Sequence, residues 1–232
     1  NVIISRWNGY HGSTLGGASL GGMKPMHEQG GLPIPGIEHI EQPYWFENGG
    51  ELSPEEYGKR AARALEDKIE ALGAHRVAAF VAEPVQGAGG LIIPPATYWP
   101  EIQRICDDYG ILLASDEVIC GFGRTGKWFA IEHWNVVPDI ITMAKGLTSA
   151  YAPLGAVAMK PEIAAAFDEH AFESGLTYTS HPISLAAAVA NIQAMREDKV
   201  VEHVAGMGAV LRRMLSDLGE AHPSVGEVRS IG

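Results

Sequence analysis

The sequence predicts an α/β fold with a mainly parallel, doubly wound sheet. Short, almost purely apolar runs recur along the chain. Strands without polar alternation are those that helices cover on both faces of a parallel sheet. Segments with apolar residues at helical spacing lie between these runs, and this alternation predicts the doubly wound arrangement. In such sheets ligands bind beyond the carboxyl ends of the strands, so functional residues are expected there.

The predicted strands are short and extend to both ends of the chain. The first apolar run has the pattern of a strand already under way, without an initiator methionine, and the last run stops abruptly. We therefore expect the chain to be a fragment of a longer protein. The predicted strands are residues 1–6, Val77–Ala82, 111–115, 140–144, 154–159 and 228–232.

Four helices are predicted between or after these strands. The first covers residues 53–72, because Ser53 and Glu56 have the spacing of a capping box and Pro54 occupies the first helical position. Its apolar or small residues follow at helical spacing. The other predicted helices run from Thr97 or Pro100 to Tyr109, over residues 182–196 and over residues 200–218.

The stretch between Gly12 and Gly50 is rich in glycine and proline and shows little periodicity. It is longer than an ordinary connection between secondary-structure elements. We therefore predict that it is a functional or interface loop.

Composition excludes several classes of protein. Hydrophobic residues make up 46% and charged residues 19%, which is typical of a globular domain. The net charge of -11, without a basic cluster, argues against a nucleic-acid partner. No apolar run approaches the roughly 18 residues of a membrane span, and no signal-peptide pattern is present. Cys106 and Cys120 form no CxxC motif and the histidines lack metal spacing, so we expect no metal site and a cytoplasmic location.

Two charged residues stand at the ends of neighbouring predicted strands. Asp116 follows the strand at residues 111–115, and Lys145 follows the next strand. About one strand–helix–strand unit separates them, so both should reach the same edge of the sheet. A lysine there can form a Schiff base, and a nearby carboxylate can hold a pyridine nitrogen protonated. Position alone also allows a solvated lysine and an aspartate that caps a helix.

The glycine-rich run at residues 121–126 matches the dinucleotide fingerprint GxGxxG. That fingerprint requires a long apolar helix directly afterwards and an acidic residue at a strand end about 20 positions later. The candidate acid, Asp139, comes before its strand, so the context does not fit. A phosphate-binding loop does not fit either, because Trp128 replaces the hydroxyl residue that would hold magnesium.

Five motifs extend along essentially the whole chain. They are NGYHGST at residues 8–14, AEPVQG at 82–87, DEVICGFGRTG at 116–126, AKGL at 144–147 and GLTYTSHP at 175–182. Together they resemble the motifs of the class III, or omega, pyridoxal phosphate-dependent aminotransferases, in that family's order and at approximately its spacing. The resemblance implies a fold type I aminotransferase with pyridoxal 5'-phosphate as cofactor.

The resemblance implies roles for residues in these motifs. Lys145 would carry the cofactor as a Schiff base and shuttle a proton during the reaction. Asp116 would pair with the pyridine nitrogen, while Tyr10 and Val118 would cover the two faces of the ring. Without the resemblance, Tyr10 and Val118 would be ordinary core residues.

Other roles implied by the resemblance involve a second subunit. Thr177 would hydrogen-bond the cofactor phosphate from the partner in a homodimer, so that the active site lies at the subunit interface. Glu83 would lie near the cofactor as a supporting polar group. His11 and Arg124 are expected to be structural. Without the resemblance, Thr177 would be a turn hydroxyl and Glu83 a cap before its proline.

Two departures from the wider family bear on the substrate. Members that act on ornithine-like amino acids often have a glutamate where this chain has Ala88, and a glutamine where it has Ile119. The turn at residues 86–90 and the run at residues 118–126 resemble the amine–pyruvate subgroup, which includes polyamine enzymes. We therefore expect ping-pong transamination from an amine or omega-amino acid donor to pyruvate.

The resemblance also implies two domains. Residues 1–190 would form a large pyridoxal phosphate-binding domain, incomplete at its N-terminal side. Residues 191–232 would form linking helices and the start of a small, truncated C-terminal α/β domain. The alternatives are a 4-aminobutyrate or diamine aminotransferase that uses 2-oxoglutarate, an aminomutase, a decarboxylase, or a truncated fragment without catalytic activity.

Overall fold

The computed structural model describes residues 1–232 and contains one six-stranded sheet. The strands are β1 (Val2–Arg6), β2 (Ile37–Ile40), β3 (Val77–Ala82), β4 (Leu112–Asp116), β5 (Ile140–Met143) and β6 (Ala156–Met159). Their order across the sheet is β2-β1-β3-β4-β5-β6. Every neighbouring pair is parallel except β5 and β6, which are antiparallel. The predicted α/β fold with a mainly parallel sheet is confirmed.

The four predicted helices are present, with ends within about three residues of those expected. None of the helices is long and apolar enough to cross a membrane. The eight helices are α1 (Leu15–Leu20), α2 (Lys24–Gly30), α3 (Trp45–Asn48), α4 (Pro54–Leu72), α5 (Tyr98–Tyr109), α6 (Pro161–Ala164), α7 (Pro182–Glu197) and α8 (Val200–Ala221).

Helix α4 begins as the sequence predicts. The Ser53 hydroxyl accepts a hydrogen bond from Glu56 N, and the Glu56 carboxylate accepts one from Ser53 N at 3.0 Å. This reciprocal pair satisfies two backbone donors that the first helical turn would otherwise leave free. At the far end of α5, Gly110 adopts the left-handed conformation with a φ of 63°, which ends that helix.

The hydrophobic core lies between the sheet and helices α4 and α5. Leu65 and Ile69 of α4 and Ile102 of α5 are fully buried against Phe80 of β3. Trp99, also fully buried, donates its indole N–H to the carbonyl of Pro84 at 3.0 Å. Because Pro84 lies just beyond β3, this bond ties the core to the edge of the sheet where ligands are expected.

The prediction for the stretch between Gly12 and Gly50 missed its regular structure. This stretch contains α1, α2, α3 and β2, and β2 pairs in parallel with β1. Strand β2 has only four residues and includes the polar Glu38 and His39, so it gives a weak sequence signal. His39 is buried because its ring stacks on Trp7, with the ring centroids 4.4 Å apart.

The predicted strand at residues 228–232 is wrong, because these residues form no strand. Arg229 donates side-chain hydrogen bonds to the carbonyls of Gly90 and Leu91, at 2.8 and 2.9 Å. The Arg229 side chain therefore anchors this segment to the turn after β3, in place of backbone pairing with the sheet. Apolar composition alone does not distinguish these two arrangements.

Replacing Leu65 with alanine should destabilise the protein by about 2–5 kcal/mol, because the change leaves a cavity beneath α4. Urea unfolding of the full-length protein measures the effect. Arg63→Ala, on the exposed face of the same helix, is the matched control and should cost less than about 0.5 kcal/mol. Equal losses for the two variants would contradict the assignment of Leu65 to the core.

Candidate active site

A cleft opens at the carboxyl ends of β3, β4 and β5. Its empty volume, including the solvent at its mouth, is about 370 Å³. Five of the six residues that the sequence assigned to the site lie in its wall, and only Thr177 does not. The lining residues are Tyr10, His11, Gly12, Glu83, Asp116, Val118, Ile119 and Lys145.

The register of the sheet brings Asp116 and Lys145 to this cleft. Asp116 is the last residue of β4 and pairs with Thr142 of β5, three residues before Lys145. Because β4 and β5 are parallel, both strands end at the same edge of the sheet. The sequence prediction that these two residues meet at one edge is confirmed.

The Asp116 carboxylate is buried and held at both oxygens. Its Oδ1 accepts a hydrogen bond from Val118 N at 3.0 Å. Its Oδ2 lies 2.6 Å from Nδ1 of His11, whose side chain is only 4% exposed. On the far side of the ring, His11 Nε2 lies 3.2 Å from the hydroxyl of Ser5. The carboxylate therefore cannot rotate without losing a hydrogen bond.

Sequence reasoning gave His11 only a structural role and did not consider Ser5. The two residues are six positions apart, on β1 and in the loop that follows, and Asp116 lies 105 positions from His11. The available signal was local: His11 directly follows Tyr10 within one motif. Nothing in the sequence indicates which side chain its ring contacts.

Glu83 braces the wall of the cleft. Its side chain is buried, with Oε1 accepting from Tyr10 N and Oε2 accepting from Gly87 N, both at 3.0 Å. Arg6, also buried, donates to the Glu83 carbonyl oxygen. These bonds connect the loop after β1 to the turn after β3, and so fix the position of Tyr10.

Lys145 projects from a strained turn after β5. It is exposed and has a φ of 41°, in the left-handed region that residues with a side chain seldom adopt. The next residue, Gly146, packs so closely that an added Cβ would lie 2.9 Å from Phe122 Cβ. Close packing on Gly146 therefore holds the turn that presents the lysine amine.

The glycine-rich run at residues 121–126 is a packing element. Phe122 N donates to the Trp128 carbonyl at 2.7 Å, so the chain folds back on itself. A Cβ on Gly126 would lie 2.9 Å from Ala205 Cα in α8. Only a short 3₁₀ turn, Ala130–Trp134, follows, where a dinucleotide site requires a long helix. The rejection of the nucleotide-binding alternatives is therefore supported by the backbone.

Glu117 is fully buried beside Asp116 and faces away from the cleft residues. Its carboxylate accepts hydrogen bonds from Ala130 N and Ile131 N, both at 2.9 Å. Burial raises the pKa of Glu117 to about 7, against the opposing effect of these two hydrogen bonds. Glu117 therefore fastens the far end of the glycine-rich loop to the end of β4.

Thr177 lies outside the cleft, in an exposed stretch before α7. Nearby, Leu176 N donates to the hydroxyl of Thr179 at 3.2 Å, which forms a local turn. The role expected for Thr177 requires a second subunit, so its position in one chain leaves that role a prediction.

The model of the aminotransferase class III family matches residues 1–232. The chain belongs to the class III aminotransferases. Members of this family are pyridoxal phosphate enzymes, and their structures have the fold type I architecture that the sequence predicted.

Curated relatives match along the whole of this class III chain. It is 52% identical to a putrescine–pyruvate aminotransferase of Pseudomonas aeruginosa, covering 100% of this chain and 51% of the relative. It is 41% identical to a diaminobutyrate–2-oxoglutarate transaminase of Halomonas elongata, covering 99% of this chain and 51% of the relative. The chain therefore spans about half the length of the curated relatives it matches.

Solved structures agree closely with the fold. A Pseudomonas jessenii omega-transaminase in complex with PMP superimposes with a TM-score of 0.96 at 40% identity, covering 100% of this chain and 52% of that one. A transaminase with L-alanine gives a TM-score of 0.97 at 40% identity, with coverage of 100% and 56%.

The raised pKa of Glu117 predicts a pH-dependent stability. Between about pH 4.5 and 7 the unfolded chain releases this proton while the folded chain keeps it, so the free energy of unfolding falls as pH rises. Above pH 7 the loss of unfolding free energy due to Glu117 reaches about 3 kcal/mol, because each pKa unit corresponds to 1.36 kcal/mol.

Glu117→Gln removes this titration. Urea unfolding at several pH values between 4 and 8 should show the stability of the variant, relative to wild type, increasing with pH across the window. Taking the difference between the two proteins cancels the other titrating groups. Parallel pH profiles would show that Glu117 does not titrate in this range.

Proposed function

We propose that this protein is a pyridoxal phosphate-dependent aminotransferase that moves an amino group from an amine or omega-amino acid to pyruvate. The observation that carries the proposal is the meeting of the Lys145 amine and the braced Asp116 carboxylate in one cleft. Family membership supports the reaction class, and the Pseudomonas aeruginosa relative, named for putrescine and pyruvate, supports the substrate class.

The residues of the cleft fit the cofactor. When bound, pyridoxal phosphate supplies an aldehyde that takes up amines and a protonated ring that withdraws electrons from the substrate carbon. Asp116 forms no ion pair with a lysine or arginine, so its carboxylate is available to a ring N–H. Tyr10 and Val118 supply apolar surface in the same cleft, and Glu83 supports Tyr10 from behind.

Lys145 is the only lysine among the lining residues of the cleft. Its Nζ would hold the cofactor covalently until a donor amine replaces it. The released amine would then accept the proton from the substrate α-carbon and return it in the second half of the ping-pong reaction. The exposure of Lys145 leaves its side chain room for both positions.

The cleft supports pyruvate over a longer keto diacid as acceptor. Ile119 places an aliphatic side chain in the wall, and the exposed Ala88 gives the neighbouring turn no charge. In relatives with a glutamate at the position of Ala88, that carboxylate could neutralise a substrate-binding arginine whenever the substrate lacks a second carboxyl group. Neither Ala88 nor Ile119 can do this. A site without such a carboxylate suits a diamine or omega-amino acid donor.

We also infer a homodimer in which Thr177 of each subunit approaches the cofactor phosphate of the other. The support is a set of strongly exposed apolar side chains in the segment that carries Thr177 and in the turn after Lys145, since exposed apolar surface is typical of interaction surfaces. They include Tyr151 at 87%, Leu176 and Tyr178 at 81% and Ile183 at 71% exposure.

The domain division and the cytoplasmic location are also part of the proposal. The boundary between residues 1–190 and 191–232 falls inside the continuous helix α7. It therefore stays a prediction, as does the cytoplasmic location.

Lysine replacement tests the cofactor assignment. In the full-length protein, added pyridoxal phosphate should give a visible absorption band, and borohydride should fix the cofactor to Lys145, as located by peptide mass spectrometry. Lys145→Ala should abolish both signals. Lys160→Ala, which removes a surface lysine paired with Asp139, is the matched control and should keep them. An unchanged band and adduct in Lys145→Ala would overturn the assignment.

Product analysis tests the reaction. With putrescine and pyruvate the full-length enzyme should form alanine, and with putrescine and 2-oxoglutarate it should form at least tenfold less glutamate, a difference of about 1.4 kcal/mol in transition-state binding. Preferential glutamate formation would instead assign the 4-aminobutyrate or diamine type with 2-oxoglutarate. Absence of both products with putrescine, and of alanine with an omega-amino acid donor such as β-alanine, would favour an aminomutase, a decarboxylase or a non-catalytic protein.

A further inference from the structure

We propose that Asn191 of helix α7 is a positioning residue for Lys145, because it holds the Lys145 turn (residues 145–150) that presents the lysine amine. The inference rests on the proposed function, which makes Lys145 the cofactor anchor. Asn191 does not line the cleft. Its amide reaches the turn from α7, where Nδ2 donates to the carbonyl oxygens of Gly146 and Leu147 at 2.9 and 3.1 Å.

The two carbonyl groups depend on Asn191 for their hydrogen bonds. The 3₁₀ turn Lys145–Leu147 is too short to bond them internally, and no backbone N–H donates to either. The Asn191 oxygen in turn accepts from the Ser149 hydroxyl at 2.7 Å. The reverse orientation of the amide would set its oxygen against two carbonyl groups, which only accept. One amide therefore makes three contacts with the Lys145 turn.

The Lys145 turn needs such a restraint because its backbone is strained. Lys145, Ser149 and Ala150 have φ values of 41°, 49° and 65°, in the left-handed region. Residues with a side chain stay in this region only where surrounding contacts hold them there. Packing against Phe122 supplies part of the restraint. The turn also borders a crevice whose empty volume, including the solvent at its mouth, is about 920 Å³, and there the bonds from Asn191 hold it to α7.

Helix α7 gives Asn191 a defined position. The buried residues of this helix are Ser184, Ala188 and Met195, and Asn191 lies three positions after Ala188 and four before Met195. Residues at this spacing share one face of a helix. A polar side chain on a packed face is costly unless its polar atoms find partners. Packing alone would be served by a small apolar residue here, so the bonds to the Lys145 turn account for the amide.

Loss of the amide should act on the lysine and leave substrate binding nearly unchanged. Without it, two carbonyl groups have no protein donor and the Lys145 turn is free to move. The Lys145 amine must reach both the cofactor and the substrate α-carbon, and a displacement of about 1 Å can cost about 100-fold in rate. The side chain of Asn191 bonds only to the turn and to Met195 of its own helix, so the other cleft residues keep their contacts.

Two replacements of Asn191 test the proposal in the full-length protein. Asn191→Asp keeps the shape of the side chain and loses both N–H donors, and Asn191→Ala loses them without adding a charge. Both should lower kcat with putrescine and pyruvate about 10- to 100-fold and weaken cofactor binding about tenfold, with the KM for putrescine within about threefold of wild type. Gln193→Ala, which removes an exposed amide and one hydrogen bond from the same helix, is the matched control and should behave as wild type.

Amide hydrogen exchange in the cofactor-free protein tests the turn without the cofactor. The N–H groups of Leu147 and Thr148 close the Lys145 turn, with bonds of 2.9 and 3.2 Å to backbone carbonyls. Both should exchange at least tenfold faster in the Asn191 variants, with the temperature of global unfolding nearly unchanged. Ser149→Ala keeps both carbonyl bonds, so its exchange should rise less than threefold. Should Asn191→Asp not fold, Asn191→Ala carries the test.

The outcomes separate this inference from the proposed function. If wild type forms no visible band with pyridoxal phosphate, the proposed function fails and the inference fails with it. If wild type forms the band but the Asn191 variants keep kcat and cofactor affinity, only the inference is overturned. Unchanged exchange in the Lys145 turn, or equal losses in Gln193→Ala, would also overturn it. Faster exchange throughout the protein would assign Asn191 a purely structural role.

Discussion

The candidate active site depends on the parallel pairing of β4 with β5. This pairing sets Asp116 beside Thr142 and brings Lys145 to the same edge, although the chain between the strands makes a long excursion. An antiparallel pairing would send the two residues to opposite edges of the sheet. This register sets the positions of Asp116 and Lys145, and the hydrogen bonds around the site then orient their side chains and the surrounding loops.

Hydrogen bonds from backbone and histidine donors keep the acidic edge of the sheet stable. Glu83, Asp116 and Glu117 are all buried, and none forms an ion pair with lysine or arginine. Backbone N–H groups bind at least one oxygen of each. A buried carboxylate without such partners would be costly. The two that line the cleft thus present carboxyl oxygens where a cationic ring nitrogen is proposed to bind.

Close packing of small residues holds the loops that carry the site. Gly146 lets the turn of Lys145 lie against Phe122, and Gly126 lets the glycine-rich loop lie against α8. The loop that resembled a nucleotide-binding fingerprint thus contributes by its shape. It connects the end of β4 to helices α7 and α8. The GxGxxG motif alone would have assigned it to nucleotide binding, which its backbone does not support.

The sequence by itself determined the sheet class, the four long helices, and the meeting of Asp116 and Lys145, because apolar periodicity, capping residues and strand ends are local signals. It also identified the family, since motif order is a property of the chain. Only the tertiary structure decided that β2 exists, that residues 228–232 form no strand, and that His11 and Ser5 stand behind Asp116. These features depend on contacts between residues far apart in the chain, whose geometry no local pattern encodes.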